Sequence, residues 1–236
     1  MATCLDYAKI ACASYHQSTR QYYAEPPGHM VDSWQVQTWE NGTLFGDGFQ
    51  GGIWQNDTDV IVGCCGTNPG QIGKFVSDIG ADIKIGVHIL PNQCASARDM
   101  VKVAKSMAGG RKVSVTGHSL GGGLAQVCAV WEGVPFVSFN APAMKLTLQA
   151  AKINIFKPMM MLRTIQSQSP SETSGMNFRI EGDIVSSKVL GDHVGTIVKL
   201  NNPRALHDNS AHAGSNCWQA VMNTDWAFID PFEAIK

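Results

Sequence analysis

The chain has 236 residues, 44% of them hydrophobic and only 16% charged, which is enough to bury one sizeable core, so we expect a single domain over 1–236. Its 18 basic and 19 acidic residues give a formal net charge of −1, and no lysine or arginine run occurs, which excludes the charge pattern of a nucleic-acid-binding protein. No stretch of 18 consecutive apolar residues occurs, so we expect no transmembrane span, only transient contact with a membrane surface.

The first 18 residues do not have the pattern of a secretory signal peptide, because Asp6 and Lys9 interrupt their apolar character. We therefore expect the chain to be cytoplasmic on synthesis, with any export depending on a signal-independent secretion system. The 7 cysteines are odd in number and form no C-x-x-C pair, which argues against a zinc site. We expect buried free thiols, no metal and no cofactor.

The N-terminal part of the chain predicts one helix, one hairpin and one buried strand. Apolar residues recur at helical spacing over 3–17, and two extended runs at 34–40 and 49–56 are separated by Asn41-Gly42, a turn signal. The next run, 59–65, is continuously apolar, as is typical of an interior strand in a parallel sheet.

From there strands and helices alternate. Helices are predicted near 72–80, 94–107, 120–131 and 143–151, and extended runs at 83–89, 112–116, 135–139, 177–180 and 195–200. This alternation predicts an α/β fold with a mostly parallel, doubly wound sheet and right-handed crossovers, with the hairpin and first helix N-terminal to it. The polar stretch 166–176 is interpreted as a surface loop or lid segment.

The stretch 113–127, VSVTGHSLGGGLAQV, places Ser119 between an apolar strand and the start of a helix. Gly117 and Gly121 complete a G-x-S-x-G pattern, in which glycines allow a tight turn that projects the serine hydroxyl, a nucleophile elbow. The positive end of the helix dipole and its first amides favour an oxyanion there, so the Leu120 amide is a candidate donor. The alternative is that Ser119 only caps its helix.

A nucleophilic serine needs a base, and the base needs an orienting acid, and around such an elbow both follow the serine in the chain. Asp183 is the preferred acid because it lies in a turn directly after the predicted strand 177–180. Asp192 and Asp208 are the alternatives. Most aspartates in turns only bond their own backbone, so position alone does not decide among the three.

Three histidines after the serine are candidates for the base. His193 precedes the last predicted strand, whereas His207 and His212 follow it in a segment able to reach the serine. We prefer His212, which precedes a predicted C-terminal helix, and keep His207 as the alternative because position in a loop does not determine which histidine reaches the serine.

Together these residues resemble the class 3 lipases of the α/β-hydrolase superfamily over roughly 35–220, and look most like a bacterial member. The resemblance lies in IVGCCGT (61–67), Val87-His88, TGHSLGG (116–122), FNAP (139–142) and the spacing of Arg179, Asp183 and Val185. It implies an α/β-hydrolase fold, Thr67 as the second oxyanion donor, and Asp183 as the catalytic acid. Cys65 stands where that family has an arginine, which we expect to alter loop packing rather than chemistry.

The resemblance implies a serine esterase that hydrolyses acyl ester bonds of lipids, either triacylglycerol or phospholipid, through an acyl-enzyme. Ile72, Phe75 and Met160 are candidate walls of the acyl pocket, unless they only pack the core. Two alternatives are a non-catalytic binding module on the same fold, and a thioesterase or acyltransferase. A further biological interpretation is an interbacterial phospholipase effector with an immunity protein as its partner.

Overall fold

The computed structural model describes residues 1–15, 30–41, 49–66, 79–152, 172–183, 185–186, 192–202 and 214–234. Within them the chain forms an 8-stranded sheet whose strands lie side by side in chain order. The strands are β1 (Met30–Val31), β2 (Trp34–Asn41), β3 (Gln50–Gln55), β4 (Asp59–Cys64), β5 (Lys112–His118), β6 (Phe136–Phe139), β7 (Gly175–Ile180) and β8 (Thr196–Leu200).

The sheet has an antiparallel half and a parallel half. Strands β1 to β4 pair antiparallel, which confirms the predicted hairpin between β2 and β3. Strands β4 to β8 pair parallel, so their carboxyl ends lie along one edge of the sheet. In register, His118 lies opposite Phe139, and Phe139 lies opposite Phe178. The ends of β5 and β6 are therefore level, and β7 runs two residues further, to Ile180.

Helices cover both faces of this sheet. They are α1 (Cys4–Ala13), α2 (Ile79–Met107), α3 (Leu120–Glu132), α4 (Lys145–Lys152) and α5 (Gly214–Met222), followed by a 3₁₀ turn over Asp225–Phe228. Helix α1 starts with a capping box, in which the Thr3 hydroxyl accepts a hydrogen bond from the Asp6 amide at 3.3 Å. It ends at Ala13, earlier than the predicted end, and Tyr15 turns towards β5 instead.

The extended run predicted at 83–89 is wrong, and with it the strand placement of Val87-His88. These residues lie inside the single helix α2, which also takes in the stretch predicted as a separate helix at 94–107. Ile79, Ile83 and Val87 recur four residues apart, so the same apolar residues that alternate like a strand also fit a helix. Short apolar runs of this kind do not distinguish helix from strand by periodicity alone.

The core consists of two apolar layers, one on each face of the sheet. Val60, Val62 and Val115 pack with α2, α3 and α4, while Ile61 and Trp54 face α1 and α5. Neighbouring side chains of β4 thus enter opposite layers, as alternation along a strand requires. Helix α3 runs against the sheet with nearly every residue buried, which is why its sequence is apolar all round.

Among the described residues, no helix combines the length and the apolar character that crossing a membrane would require.

Candidate active site

Ser119 occupies the joint between β5 and α3 in a strained backbone conformation. Its φ is 56° and its ψ is −129°, a region that side chains rarely enter, and the residue is only 1% exposed. Its amide donates to the Phe139 carbonyl at 3.0 Å, and its own carbonyl accepts from the Gly122 amide at 3.0 Å. Both β6 and α3 therefore hold the backbone of this one residue.

Glycines on either side of Ser119 are required by close backbone approach. A Cβ on Gly117 would lie 2.4 Å from the carbonyl carbon of Gly121, and a Cβ on Gly121 would lie 2.1 Å from the Cys64 carbonyl oxygen. No side chain fits at either position. Because both residues are glycine, the turn can close on itself at Gly117 and can pack against the end of β4 at Gly121. This is the geometry that a nucleophile elbow needs.

The alternative that Ser119 is only a helix cap finds no support. Ser119 occupies the N-cap position of α3, yet its side chain makes no capping hydrogen bond to the helix. An N-cap serine normally accepts from the second or third amide of its helix. The hydroxyl is therefore not used for the ordinary structural purpose of a serine at this position.

Of the two predicted oxyanion donors, Leu120 and Thr67, the described residues include Leu120. Leu120 is the first residue of α3, and the first amides of a helix have no partner within it. A Cβ on Gly66 would lie 2.6 Å from the His118 carbonyl oxygen, so the chain leaving β4 passes directly beside the elbow. Thr67, the next residue, lies outside the described residues, as do Ile72, Phe75 and Met160.

Asp183 lies where the turn after β7 ends, two strands away from β5, and is 1% exposed. Its Oδ2 accepts a hydrogen bond from the Ser186 amide at 2.8 Å and another from the Ser186 hydroxyl. The carboxyl ends of neighbouring parallel strands are where open α/β sheets carry their chemistry. Ser119 and Asp183 both follow such ends. Asp192, the alternative acid, is exposed.

Asn140 is a site residue that the sequence reasoning did not single out. It follows β6, between the strands that carry Ser119 and Asp183, has a φ of 46° and is fully buried. Its Oδ1 accepts from the Ile180 amide at 2.9 Å, and its Nδ2 donates to the Cys217 sulfur at 3.6 Å. It thus joins β6 to the start of the Asp183 turn and to α5. Its place in FNAP, just after a predicted strand, was the available signal.

His207 and His212 lie outside the described residues. Helix α5 begins at Gly214, two residues after the preferred base, and Cys217 on that helix contacts Asn140. His193, the third candidate, is buried, and its Nε2–H donates to the Ser186 carbonyl at 3.5 Å. Burial lowers the pKa of His193, which keeps its imidazole neutral.

A cavity of about 390 Å³ opens beside Asp183, between the carboxyl ends of β7 and β8. Arg179, Glu181 and Lys199 contribute to its lining. A lining with three charged side chains does not suit a fatty acyl chain, which binds between apolar walls.

All seven cysteines lie within the described residues, where they are buried and form no disulfide. Burial raises the pKa of Cys12 to about 12 and that of Cys4 to about 12, so neither thiol ionises near neutral pH. Within the described part of the chain, no group of three or more histidine, cysteine, aspartate or glutamate side chains is arranged to hold a metal ion.

The sheet, which is parallel from β4 to β8, and the strand–serine–helix joint between β5 and α3 define the α/β-hydrolase fold. Solved structures share this fold: the Lip2 lipase of Yarrowia lipolytica matches with a TM-score of 0.53 at 14% identity, covering 93% of this chain and 89% of that one. The triacylglycerol lipase of Penicillium expansum matches with a TM-score of 0.51 at 15% identity, covering 89% and 85%.

Sequence comparison narrows the class. Residues 33–214 match the Tle-like phospholipase domain, and the chain belongs to this phospholipase-like family. An extracellular phospholipase A1 of Serratia liquefaciens is 37% identical over 98 residues, which make up 41% of this chain. The matched stretch spans 28% of that relative's length.

Proposed function

We propose that this protein is a serine esterase that hydrolyses acyl ester bonds of lipids, with a phospholipid as the first expected substrate and triacylglycerol as the second. The conformation of Ser119 carries the proposal. Its backbone is held at a φ of 56° between glycines, and its side chain makes no capping bond to α3. Strain of this kind at a helix start serves to present a nucleophile.

The proposed reaction is acyl transfer to Ser119. His212 removes the proton from the serine hydroxyl, and Oγ attacks the ester carbonyl. The amides of Leu120 and Thr67 receive the negative charge that develops on the carbonyl oxygen. The imidazolium then protonates the departing alcohol, and water, activated by the same base, releases the fatty acid and restores the serine.

Asp183 holds the imidazole in the required tautomer and stabilises its positive form. Two observations support this role: the carboxylate is buried, and it lies at the sheet edge that also carries Ser119. Ile72, Phe75 and Met160 are proposed as walls of the acyl pocket. Membership of a phospholipase family, and the name of the Serratia relative, favour a phospholipid over triacylglycerol.

The test measures fatty acid release from phosphatidylcholine vesicles, from a triacylglycerol emulsion, and from soluble esters of increasing acyl length. Ser119→Ala should reduce the rate by about 10⁴-fold or more. Ser114→Ala is the matched control, because it removes another buried serine hydroxyl from β5, and it should retain activity. Activity independent of Ser119, or no hydrolysis of any acyl substrate by the unmodified protein, would contradict the proposal.

The same experiment separates the alternatives. A binding module would associate with vesicles and release no fatty acid, with or without Ser119. A thioesterase or acyltransferase would leave the oxygen esters intact and turn over a thioester or an added alcohol acceptor.

The identity of the base is tested by substituting each histidine separately. His212→Ala should abolish hydrolysis, and His207→Ala should retain it. The opposite result would transfer the role to His207, and a loss only in a His193 variant would contradict both assignments.

A second candidate role is that of an antibacterial effector, neutralised by an immunity protein as its partner. The match to a Tle-like phospholipase domain favours it. The test is to direct the protein either to the periplasm or to the cytoplasm of a bacterium. Growth arrest that depends on Ser119 and on location would support the role, whereas normal growth in both cases would contradict it.

A further inference from the structure

Ser186 is in direct contact with the carboxylate of Asp183. Its amide donates to Oδ2 at 2.8 Å, and its hydroxyl donates to the same oxygen. An ionised carboxylate only accepts hydrogen bonds, so the hydroxyl must be the donor. Asp183 is 1% exposed and Ser186 is 4% exposed, so water does not compete for these bonds.

The two donors occupy one oxygen of a carboxylate that has two. Both the amide and the hydroxyl of Ser186 are bound to Oδ2, from two directions. The contact therefore fixes the rotation of the carboxylate as well as its charge. Hydrogen bonds to a charged group are stronger and more directional than those between neutral groups.

The Ser186 hydroxyl is not needed to form the turn. An aspartate that starts a helical turn accepts the amide three residues later whatever that residue is, and the Ser186 amide already fills this role. The turn is further tied at its start, where the Asp183 amide donates to the Ile180 carbonyl at 3.1 Å, and on its other side, where His193 donates to the Ser186 carbonyl. The hydroxyl is an additional donor aimed at the carboxylate.

We propose that Ser186 is a positioning residue for the catalytic acid: its hydroxyl holds Oδ2 of Asp183 and so fixes the rotation of the carboxylate that orients the base. The inference rests on the proposed function, since it assigns a task only if Asp183 orients an imidazole. Ser186 is buried and its hydroxyl is bonded to the carboxylate. It acts through Asp183, by holding the carboxylate in place and by sharing its negative charge.

Removing the Ser186 hydroxyl should shift the pH dependence of the reaction in one direction. In Ser186→Ala the carboxylate keeps the amide donor and loses the hydroxyl, so more of its charge acts on the imidazole and favours the protonated base. The base then becomes available only at higher pH. Because the acid limb of kcat/KM follows the free enzyme's base, that limb should move up by about one pH unit. Freer rotation of the carboxylate should also lower kcat by about tenfold, with KM little changed.

The experiment compares pH profiles of kcat/KM for a soluble ester in the unmodified protein, Ser186→Ala and Ser186→Thr. Ser186→Thr keeps the hydroxyl and should restore the acid limb. Ser114→Ala should leave the profile unchanged. Its hydroxyl lies 2.8 Å from that of Tyr7, so the variant also loses a buried hydroxyl contact. Circular dichroism confirms that each variant is folded.

The outcomes separate the two proposals. An active protein whose acid limb is the same with and without the Ser186 hydroxyl would overturn this inference and leave the proposed function standing. The inference is also overturned if Ser186→Ala lowers kcat by the same factor at every pH and Ser186→Thr does not restore it, because packing alone would explain that loss. Absence of hydrolysis by the unmodified protein would overturn both.

Discussion

The hydroxyl of Tyr15 lies 2.8 Å from Nδ1 of His118 and also donates to the His118 carbonyl at 3.2 Å. His118 is the residue before Ser119, and both members of the pair are buried. A residue just after α1 therefore supports the ring and the backbone of the strand end from which the elbow starts.

Tyr15→Phe tests this support. We expect the free energy of unfolding to fall by about 2 kcal/mol, because a buried hydrogen bond is lost, and Tm to fall by about 6 °C. The elbow should also loosen, which lowers kcat by about tenfold. Tyr7→Phe is the matched control, since the Tyr7 hydroxyl also contacts a buried side chain at 2.8 Å. It should cost similar stability and leave kcat unchanged. Equal kcat in the two variants would contradict the role.

Gly121→Ala tests the contact between the elbow and β4. The added Cβ would lie 2.1 Å from the Cys64 carbonyl oxygen, a backbone atom that cannot move aside alone, so we expect a loss of about 3 kcal/mol or more in thermal unfolding. Gly123→Ala is the control in the same helix, because the atoms nearest to its Cβ would be in the Met144 and Pro142 side chains, at 3.3 Å or more. If both variants are equally stable, the close approach is not a constraint.

Asn140 is tested with two substitutions, because it contributes both a side chain and a positive φ. Asn140→Gly keeps access to that φ but loses the bonds to the Ile180 amide and the Cys217 sulfur. We expect a folded protein with kcat lowered about tenfold, as the turn that carries Asp183 is no longer tied to β6. Asn140→Ala should lose about 1 kcal/mol more stability. Full activity of the glycine variant would contradict a positioning role.

The stability of the fold should depend on His193 below neutral pH. Burial lowers its pKa, an effect increased by nearby Arg179 and opposed by the Ser186 carbonyl and by Asp192. The unfolded chain, with an ordinary pKa of about 6.5, therefore binds the proton first as pH falls. The free energy of unfolding therefore has its full value above about pH 6.5 and decreases as the pH falls below that value.

Urea unfolding at pH 7.5 and pH 5 measures this effect. The unmodified protein should lose more free energy of unfolding over that interval than His193→Gln, which carries no titrating group at this position. The other histidines contribute equally to both proteins and cancel. Equal losses would mean that His193 does not titrate between the folded and unfolded states.

Sequence patterns predicted those parts of the fold that are set by neighbouring residues. The strands around 59–65, 112–116 and 135–139 follow from apolar runs, and the elbow follows from glycines two residues on either side of Ser119. The error at 83–89 arose where one set of apolar residues fits both periods.

The supporting contacts around the site were not accessible in the same way. Tyr15 and His118 are 103 residues apart, and Asn140 and Ile180 are 40 apart, so no local pattern records that they meet. Ser186 is close to Asp183 in the chain, but a serine three residues after an aspartate is common in turns. Only the burial and orientation of the side chains distinguish these residues from ordinary loop residues.

The Cys4 amide donates to the Ile229 carbonyl at 2.9 Å, and Lys112, at the start of β5, forms an ion pair with Asp230. Helix α1 therefore packs against chain that is synthesised some 200 residues after it. Contacts of such long sequence separation form late in folding. Because Tyr15 follows α1 and supports the elbow, a growing chain should not acquire a finished elbow until that distant segment has docked. The timing of activity would then be set by the order of synthesis.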